Sequence, residues 1–234
     1  MDTIIEITDL IFTYPDGKLA LDGINLRINT GERVALIGAN GAGKSTLLFH
    51  LNGILSGRGR IVIDGLELNP ANTKRIRALT GLVFQHPDDQ LFSPTVFEDV
   101  AYGPVYQGFD KTTVQEKVTQ ALNAVNMAAY SARNPYHLSE GEKKRVAIAA
   151  VLSMQPKILV LDEPSAGLDP RSRRELIEWL GGLPLTLLFA THDLDMARQL
   201  STRTILLHEG RIVADGRTEA ILSDSKLLYA HNLA

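Results

Sequence analysis

One run of nine residues carries the plainest chemistry in the chain: Gly38-Ala39-Asn40-Gly41-Ala42-Gly43-Lys44-Ser45-Thr46. Its glycines let the backbone curl so that successive N–H groups point at one anion. An apolar run at 34–37 precedes it and Leu47-Leu48-Phe49 follows, which is the strand–loop–helix setting of a phosphate-binding loop. In that setting Gly38, Asn40, Gly41, Gly43 and Thr46 surround the phosphates, Lys44 pairs with the β- and γ-phosphates of a nucleotide, and the Ser45 hydroxyl ligates Mg2+. Two fixed glycines, a lysine and a hydroxyl coincide by chance in on the order of one chain in a hundred, so nucleotide phosphate is the expected ligand.

A second group supplies acid–base chemistry. Ile158-Leu159-Val160-Leu161-Asp162-Glu163 is an apolar strand that ends in two carboxylates. Strand side chains alternate, so the pair is expected on opposite sides of the strand end. Asp162 can hold Mg2+ or its water, and Glu163 can take a proton from an attacking water as general base. Thr191-His192-Asp193 follows another apolar run, where His192 can reach a γ-phosphate and hold the water in line. The remaining histidines, at 50, 86, 137, 208 and 231, share no ligand spacing, and no protein-bound transition metal is expected.

The elements that must position these groups read as a mixed α/β chain. Of 234 residues, 44% are hydrophobic and 22% charged, enough apolar mass for a core and too much for a disordered chain. There is no cysteine, which excludes disulfide scaffolds, thiol nucleophiles and cysteine-ligated metals and fits a reducing compartment. Met1-Asp2-Thr3, followed by Glu6 and Asp9, has the wrong charge for a signal peptide. No apolar run approaches the ~18 residues needed to span a bilayer, and a net charge of −3 is no signature of a nucleic-acid binder.

Along the chain, Tyr14-Pro15-Asp16-Gly17 reads as a turn, and Ile24, Leu26 and Ile28 alternate as in a half-buried strand. Residues 60–63 with Asp64-Gly65 form a hairpin pattern, and 83–84, 186–189 and 204–207 are further short strands. Between 86 and 155 the character turns helical: Val114, Val118, Ala121, Leu122 and Val125 recur at helical spacing, and 140–154 carries a second helix.

Leu138-Ser139-Glu140-Gly141-Glu142-Lys143-Lys144-Arg145 lies directly before that second helix. With the phosphate loop, Gln85, the carboxylate pair, Ser165-Ala166-Gly167-Leu168-Asp169 and His192 in this order, the chain resembles the ATP-binding cassette (ABC) ATPases over essentially its whole length. The resemblance implies an α/β fold of the P-loop NTPase class, with a RecA-like core, an antiparallel β subdomain and an inserted helical subdomain. Residues 1–234 then form a single ABC ATPase domain, with the helical part at about 86–155. Gln85 stands as the Q-loop glutamine, residues 165–169 as the D-loop and His192 as the switch histidine. The signature departs from the common Leu-Ser-Gly-Gly-Gln at Glu140 and Glu142, but it keeps Ser139 and Gly141, which would offer a hydroxyl and a backbone N–H to a γ-phosphate. The two carboxylates weaken that attraction and the basic triplet offsets them, although Lys143 and Lys144 read best as a solvated helix face. The resemblance also implies head-to-tail pairing of two cassettes, each ATP lying between one phosphate loop and the other cassette's signature. Tyr14, ahead of Gly38, stands where the family places an aromatic on adenine.

The stretch from Val83 to Val96 is similar to the energy-coupling factor (ECF) branch, whose ATPases drive import of metal ions and vitamins. There Gln85 contacts Mg2+ and the attacking water, and the residues after it form a groove for the coupling helices of a transmembrane scaffold. Asp88, Asp89, Glu98 and Asp99 would make that groove acidic and suit a basic partner. Only a short helical tail, around 227–230, follows the last strand pair, which points to the cobalt or nickel importers and a homodimer, or pairing with a related ATPase. A vitamin importer such as a biotin system is the alternative, and a soluble non-transport ABC ATPase a more distant one. The expected partners are the scaffold and a substrate-binding membrane subunit, with no nucleic acid. The expected cofactors are ATP and Mg2+, and the expected location is the cytoplasmic face of the cell membrane, held peripherally.

Overall fold

The computed structural model describes residues 2–233. In chain order the elements are β1 (Thr3–Thr13), β2 (Leu19–Asn29), β3 (Arg33–Ile37), α1 (Lys44–His50), β4 (Arg58–Ile63), β5 (Leu66–Glu67), α2 (Thr73–Leu79) and β6 (Thr80–Val83). Then follow α3 (Val96–Gln107), α4 (Lys111–Ala124), α5 (Glu140–Leu152), β7 (Ile158–Asp162), α6 (Pro170–Gly181), β8 (Thr186–Thr191), α7 (Leu194–Leu200), β9 (Arg203–His208), β10 (Arg211–Arg217), α8 (Thr218–Ser223) and α9 (Ser225–Ala230). No described helix is long and apolar enough to cross a membrane.

Two sheets organise the chain. One has the order β2-β1-β4-β5 and is antiparallel, with the β4–β5 hairpin turning at Asp64-Gly65. The other runs β10-β9-β3-β8-β7-β6; all its pairs are parallel except the β9–β10 edge hairpin. Its central strands are short unbroken apolar runs because helices or the other sheet cover both faces. Their side chains sort with period two. Ala35, Ile37, Leu159, Leu161, Leu187 and Phe189 enter one core with α3–α7. Val34, Leu36, Ile158, Val160, Leu188 and Ala190 enter a second core with α1 and the antiparallel sheet. The phosphate loop and its partners thus sit at the C-terminal ends of parallel strands that are clamped from both sides, where α/β sheets place their ligands.

The segment between β6 and β7 holds α3, α4 and α5. Each begins with a side chain that accepts from the helix's own free N–H groups: Thr95, Asp110 and Ser139 respectively. Small differences from the sequence expectation fall at ends: β6 stops at Val83 rather than Phe84, and α5 ends at Leu152.

Candidate functional site

The phosphate loop leaves the end of β3 under tight steric constraint. A Cβ on Gly38 would lie 2.3 Å from the Leu207 carbonyl oxygen on β9. Gly43 has φ 106° and a Cβ there would lie 2.6 Å from the Ala20 carbonyl oxygen. Only glycine fits these two positions, because the obstacles are backbone and cannot rotate away. Lys44 opens α1 with its side chain folded back, Nζ donating to the carbonyls of Gly38 at 2.8 Å and Ala39 at 3.3 Å. The Tyr14 and Thr46 hydroxyls share a 2.9 Å hydrogen bond, which holds the Tyr14 ring at the loop. Together Tyr14, Asn40, Lys44, Gln85, Glu163 and His192 line one cavity of about 380 Å3, with Gly41, Gly43, Ser45 and Thr46 in its wall.

Asp162 ends β7 buried, and its Oδ1 has no partner among the described residues. Burial pushes its carboxyl up from the ordinary value, while a hydrogen bond from the Ser45 hydroxyl pulls the other way. Glu163 breaks the expected alternation. Its φ of 44° takes it out of strand geometry, so both carboxylates face the phosphate loop instead of diverging. Glu163 Oε1 lies 3.7 Å from Lys44 Nζ and Oε2 lies 2.8 Å from His192 Nδ1. Oε2 also accepts from the His192 backbone N–H at 3.2 Å. Asp193, next in the chain, is held below its ordinary value: burial raises it, but bonds from Arg173, the Met196 N–H and Ser165 together outweigh burial. Arg173 Nε and an Nη donate to it at 2.6 and 2.7 Å, which ties α6 to the start of α7.

A Mg2+ ion fits this donor set. The Ser45 hydroxyl lines the cavity, and Asp162, hydrogen-bonded to that hydroxyl, keeps a buried oxygen without a partner among the described residues; both are the hard oxygen ligands that Mg2+ prefers. Among the described residues no three or more His, Cys, Asp or Glu converge as a metal cage, so phosphate and water oxygens would complete the shell.

Ser139 and Gly141 are not among the residues lining this cavity. They stand at the N-terminus of α5, where Ser139 forms a reciprocal capping box with Glu142. Glu142 accepts from the Ser139 N–H at 2.8 Å and hydroxyl at 2.9 Å, and its own N–H donates back to the Ser139 oxygen at 3.4 Å. The Ser139 N–H, more than any other cause, holds the Glu142 carboxyl below its ordinary range. The sequence carried this signal as Ser-x-x-Glu before an apolar helix.

Two further sequence expectations are corrected. Lys143 and Lys144 are not a solvated face. Lys143 Nζ pairs with Asp88 at 2.7 Å, and Lys144 is only 4% exposed, bonded to backbone carbonyls after β7. Burial lowers its pKa against the pull of the Glu140 and Glu163 carboxylates. Nor is the stretch after Gln85 an acidic groove. Asp99 is buried, its Oδ1 accepting from the N–H groups of Phe92 and Ser93. Asp88 is paired and Glu98 accepts from the Thr95 hydroxyl at the α3 cap. Asp89 is the one exposed carboxylate among the residues lining a groove that also holds Arg77 and a largely apolar exposed face, where Phe92 is 64% and Tyr102 58% exposed, packed edge to face. Gln90, not singled out from sequence, fastens this stretch to α5 by accepting from the Phe84 N–H and donating to the Ala147 carbonyl.

Comparison with known proteins agrees with this geometry. The ABC transporter family model matches residues 21–166. An energy-coupling factor transporter ATP-binding protein, EcfA, of Methanothermobacter thermautotrophicus is 48% identical over 98% of this chain and 76% of its own. EcfA of Methanocaldococcus jannaschii is 44% identical over 98% of this chain and 85% of its own. Among solved structures, CbiO1 of Clostridium perfringens, described as part of the ABC transporter complex CbiONQ, superposes with a TM-score of 0.86 at 38% identity, covering 100% of this chain and 96% of that one. The dimeric post-hydrolysis structure of the ATP-binding cassette MJ0796 with ADP and phosphate gives a TM-score of 0.82 at 26% identity, over 92% and 99% of the two chains.

Proposed function

This chain belongs to the ABC transporter family, and from that premise we propose that it is the ATP-hydrolysing motor of an ECF-type importer of a transition-metal ion, cobalt or nickel. As an ABC ATPase it binds and hydrolyses ATP. The observation that carries the assignment of roles is the convergence on Glu163 of Lys44 and His192, from three strand ends that the fold clamps together.

In this reading the loop amides and Lys44 Nζ hold the phosphates, Lys44 exchanging the Gly38 and Ala39 carbonyls for phosphate oxygens. That exchange also removes the cation from Glu163. Its carboxylate, oriented by His192, then accepts a proton from a water attacking the γ-phosphorus; the P–O bond to ADP breaks and inorganic phosphate leaves. Tyr14 stacks on the base. Bound Mg2+, held by Ser45 and Asp162 with Gln85 beside it, would neutralise charge on the β- and γ-phosphate oxygens. Ser139 and Gly141 lie outside the cavity, so a second copy must bring them to the γ-phosphate, and a homodimer completes two such sites. The dimeric cassette with ADP and phosphate supports that pairing.

The importer reading draws on the EcfA relatives and the CbiONQ neighbour. It places the exposed aromatic face around Phe92 and Tyr102 against coupling helices of a transmembrane scaffold, holding the chain peripherally at the cytoplasmic face of the membrane. A groove this apolar suits an apolar helix rather than the basic partner expected from sequence. Affinity purification of the tagged chain from detergent-solubilised native membranes tests this reading. Co-purification of a polytopic scaffold and a small metal-binding membrane subunit is expected; recovery with a vitamin-binding subunit, or with soluble partners only, overturns the cargo or the importer role respectively. Glu163→Gln tests the chemistry: the variant is expected to bind ATP, to accumulate as an ATP-bound dimer and nearly to stop hydrolysing. Normal turnover removes Glu163 from the base role.

A further inference from the structure

Lys144 is a buried cation with no carboxylate in direct contact among the described residues. It lies on the second turn of α5, and its Nζ donates to three backbone carbonyls of one turn: Glu163 at 3.4 Å, Pro164 at 3.2 Å and, more closely, Ala166. Of these, the Glu163 carbonyl also accepts from the Ala166 N–H. Three carbonyl oxygens aimed at one point repel one another unless a positive donor sits between them, so the ammonium dictates how the chain turns after β7. That turn contains an uncommon backbone conformation. Glu163, not a glycine, has φ 44°, a region non-glycine residues occupy at a cost and keep only where the surroundings over-determine it. The side chain so aimed is the one that meets Lys44 and His192 in the cavity.

We propose that Lys144 is a positioning residue for hydrolysis, its ammonium gripping the carbonyls of residues 163, 164 and 166 so that Glu163 stays left-handed with its carboxylate facing the phosphate loop. Lys144 touches no substrate atom; it acts through the backbone of Glu163, and the inference therefore rests on Glu163 being the general base. It also gives α5 two duties. Its N-terminus presents Ser139 and Gly141 outward, and one turn later the same helix sets the base of its own cavity. A small rotation of α5 would move both.

The test compares Lys144→Met, which keeps chain length without donors, with Lys144→Gln, whose amide supplies two N–H groups. ATP affinity is measured by titration with a fluorescent ATP analogue and turnover by phosphate release. A base displaced by about 1 Å loses up to ~10²-fold in rate, so Lys144→Met is expected to lower kcat by about 10–100-fold with ATP affinity within about twofold, and Lys144→Gln to recover part of the loss. In single-turnover assays on a Glu163→Gln background, Lys144→Met should cause no further loss beyond about twofold, because both changes disable one group. A wild-type kcat in Lys144→Met, or an undiminished loss in the Glu163→Gln background, overturns the proposal. If Lys144→Met fails to fold, Lys144→Gln decides: it should fold, bind ATP normally and turn over about 3–10-fold slower, and a wild-type kcat in it reduces Lys144 to a folding role. Full activity of Glu163→Gln by itself strikes the base reading instead, independently of the Lys144 series.

Discussion

The capping box at the head of α5 makes a prediction whose size follows from its bonds. Glu142→Ala removes the acceptor of two hydrogen bonds, from the Ser139 N–H and the Ser139 hydroxyl. Both groups are exposed and regain water, so the loss is that of an N-cap, about 1 kcal/mol. For a chain of this length 1 kcal/mol corresponds to about 2–4 °C in Tm. Glu142→Gln keeps an acceptor oxygen in the same place and gives up only the charge at the helix N-terminus, worth about 0.3–1 kcal/mol. It should melt between the other two. The pH dependence has a fixed sign. Because the folded carboxyl lies below its ordinary 4.5, its contribution is complete above that value and fades as pH falls through it towards the folded value. The gap between wild type and Glu142→Ala should therefore be widest at neutral pH and narrow in acid, where wild type approaches Glu142→Gln, which lacks this pH term. Thermal melts by circular dichroism at several pH values read all of it. A Glu142→Gln curve coincident with Glu142→Ala, or a gap that widens in acid, would refute the reasoning.

Asp162→Asn should raise the Tm of the nucleotide-free protein, because it removes a carboxylate that burial penalises. The carboxyl's folded value is raised, so the penalty is absent below the ordinary 3.8 and grows as pH rises through it; the gain should follow that course. The extra melting shift that Mg2+ adds to ATP should vanish in the same variant, and its persistence removes Asp162 from the metal site. Gly43→Ala must move either the loop or the backbone at Ala20, and is expected to weaken ATP binding in calorimetric titration by more than tenfold, with roughly 1–2 kcal/mol of lost stability. Gly41→Ala, also at positive φ (81°) but facing open space, should cost less; equal losses at both positions would point to strain rather than collision.

Much of the site could be read from local pattern. The phosphate loop, the carboxylates after 158–161 and His192 each sit at the end of a short apolar strand, and period-two alternation and glycine spacing are visible in one dimension. What escaped was set by contacts between distant segments. The Lys-Lys-Arg triplet looks like any charged helix face, and nothing local says that Lys144 faces the turn at 163–166 while Lys143 faces Asp88. Asp99 reads as one more acid in an acidic stretch until Phe92 and Ser93 turn their N–H groups onto it. The left-handed backbone at Glu163 runs against residue preference, so propensity points away from it. The strand order β10-β9-β3-β8-β7-β6 follows no sequence adjacency around β3. By contrast the capping box is fully written in the spacing of Ser139 and Glu142.

The strand that carries the phosphate loop has its neighbours late in the chain. Residues 33–37 pair with 187–191 on one side and 203–206 on the other, and the loop's back is braced by Leu207 and by the Gly210 N–H donating to the Ala42 carbonyl. During synthesis the ribosome must add roughly 150 further residues after β3 before either flank exists, about 8–30 s at ordinary elongation rates. Throughout that interval an apolar strand and a glycine-rich loop stand without a frame, and cellular ATP can offer the nascent chain no stabilisation, because its site does not yet exist. Ligand protection arrives only once residues 187–210 have emerged, which leaves chaperones rather than nucleotide to guard the growing polypeptide until then.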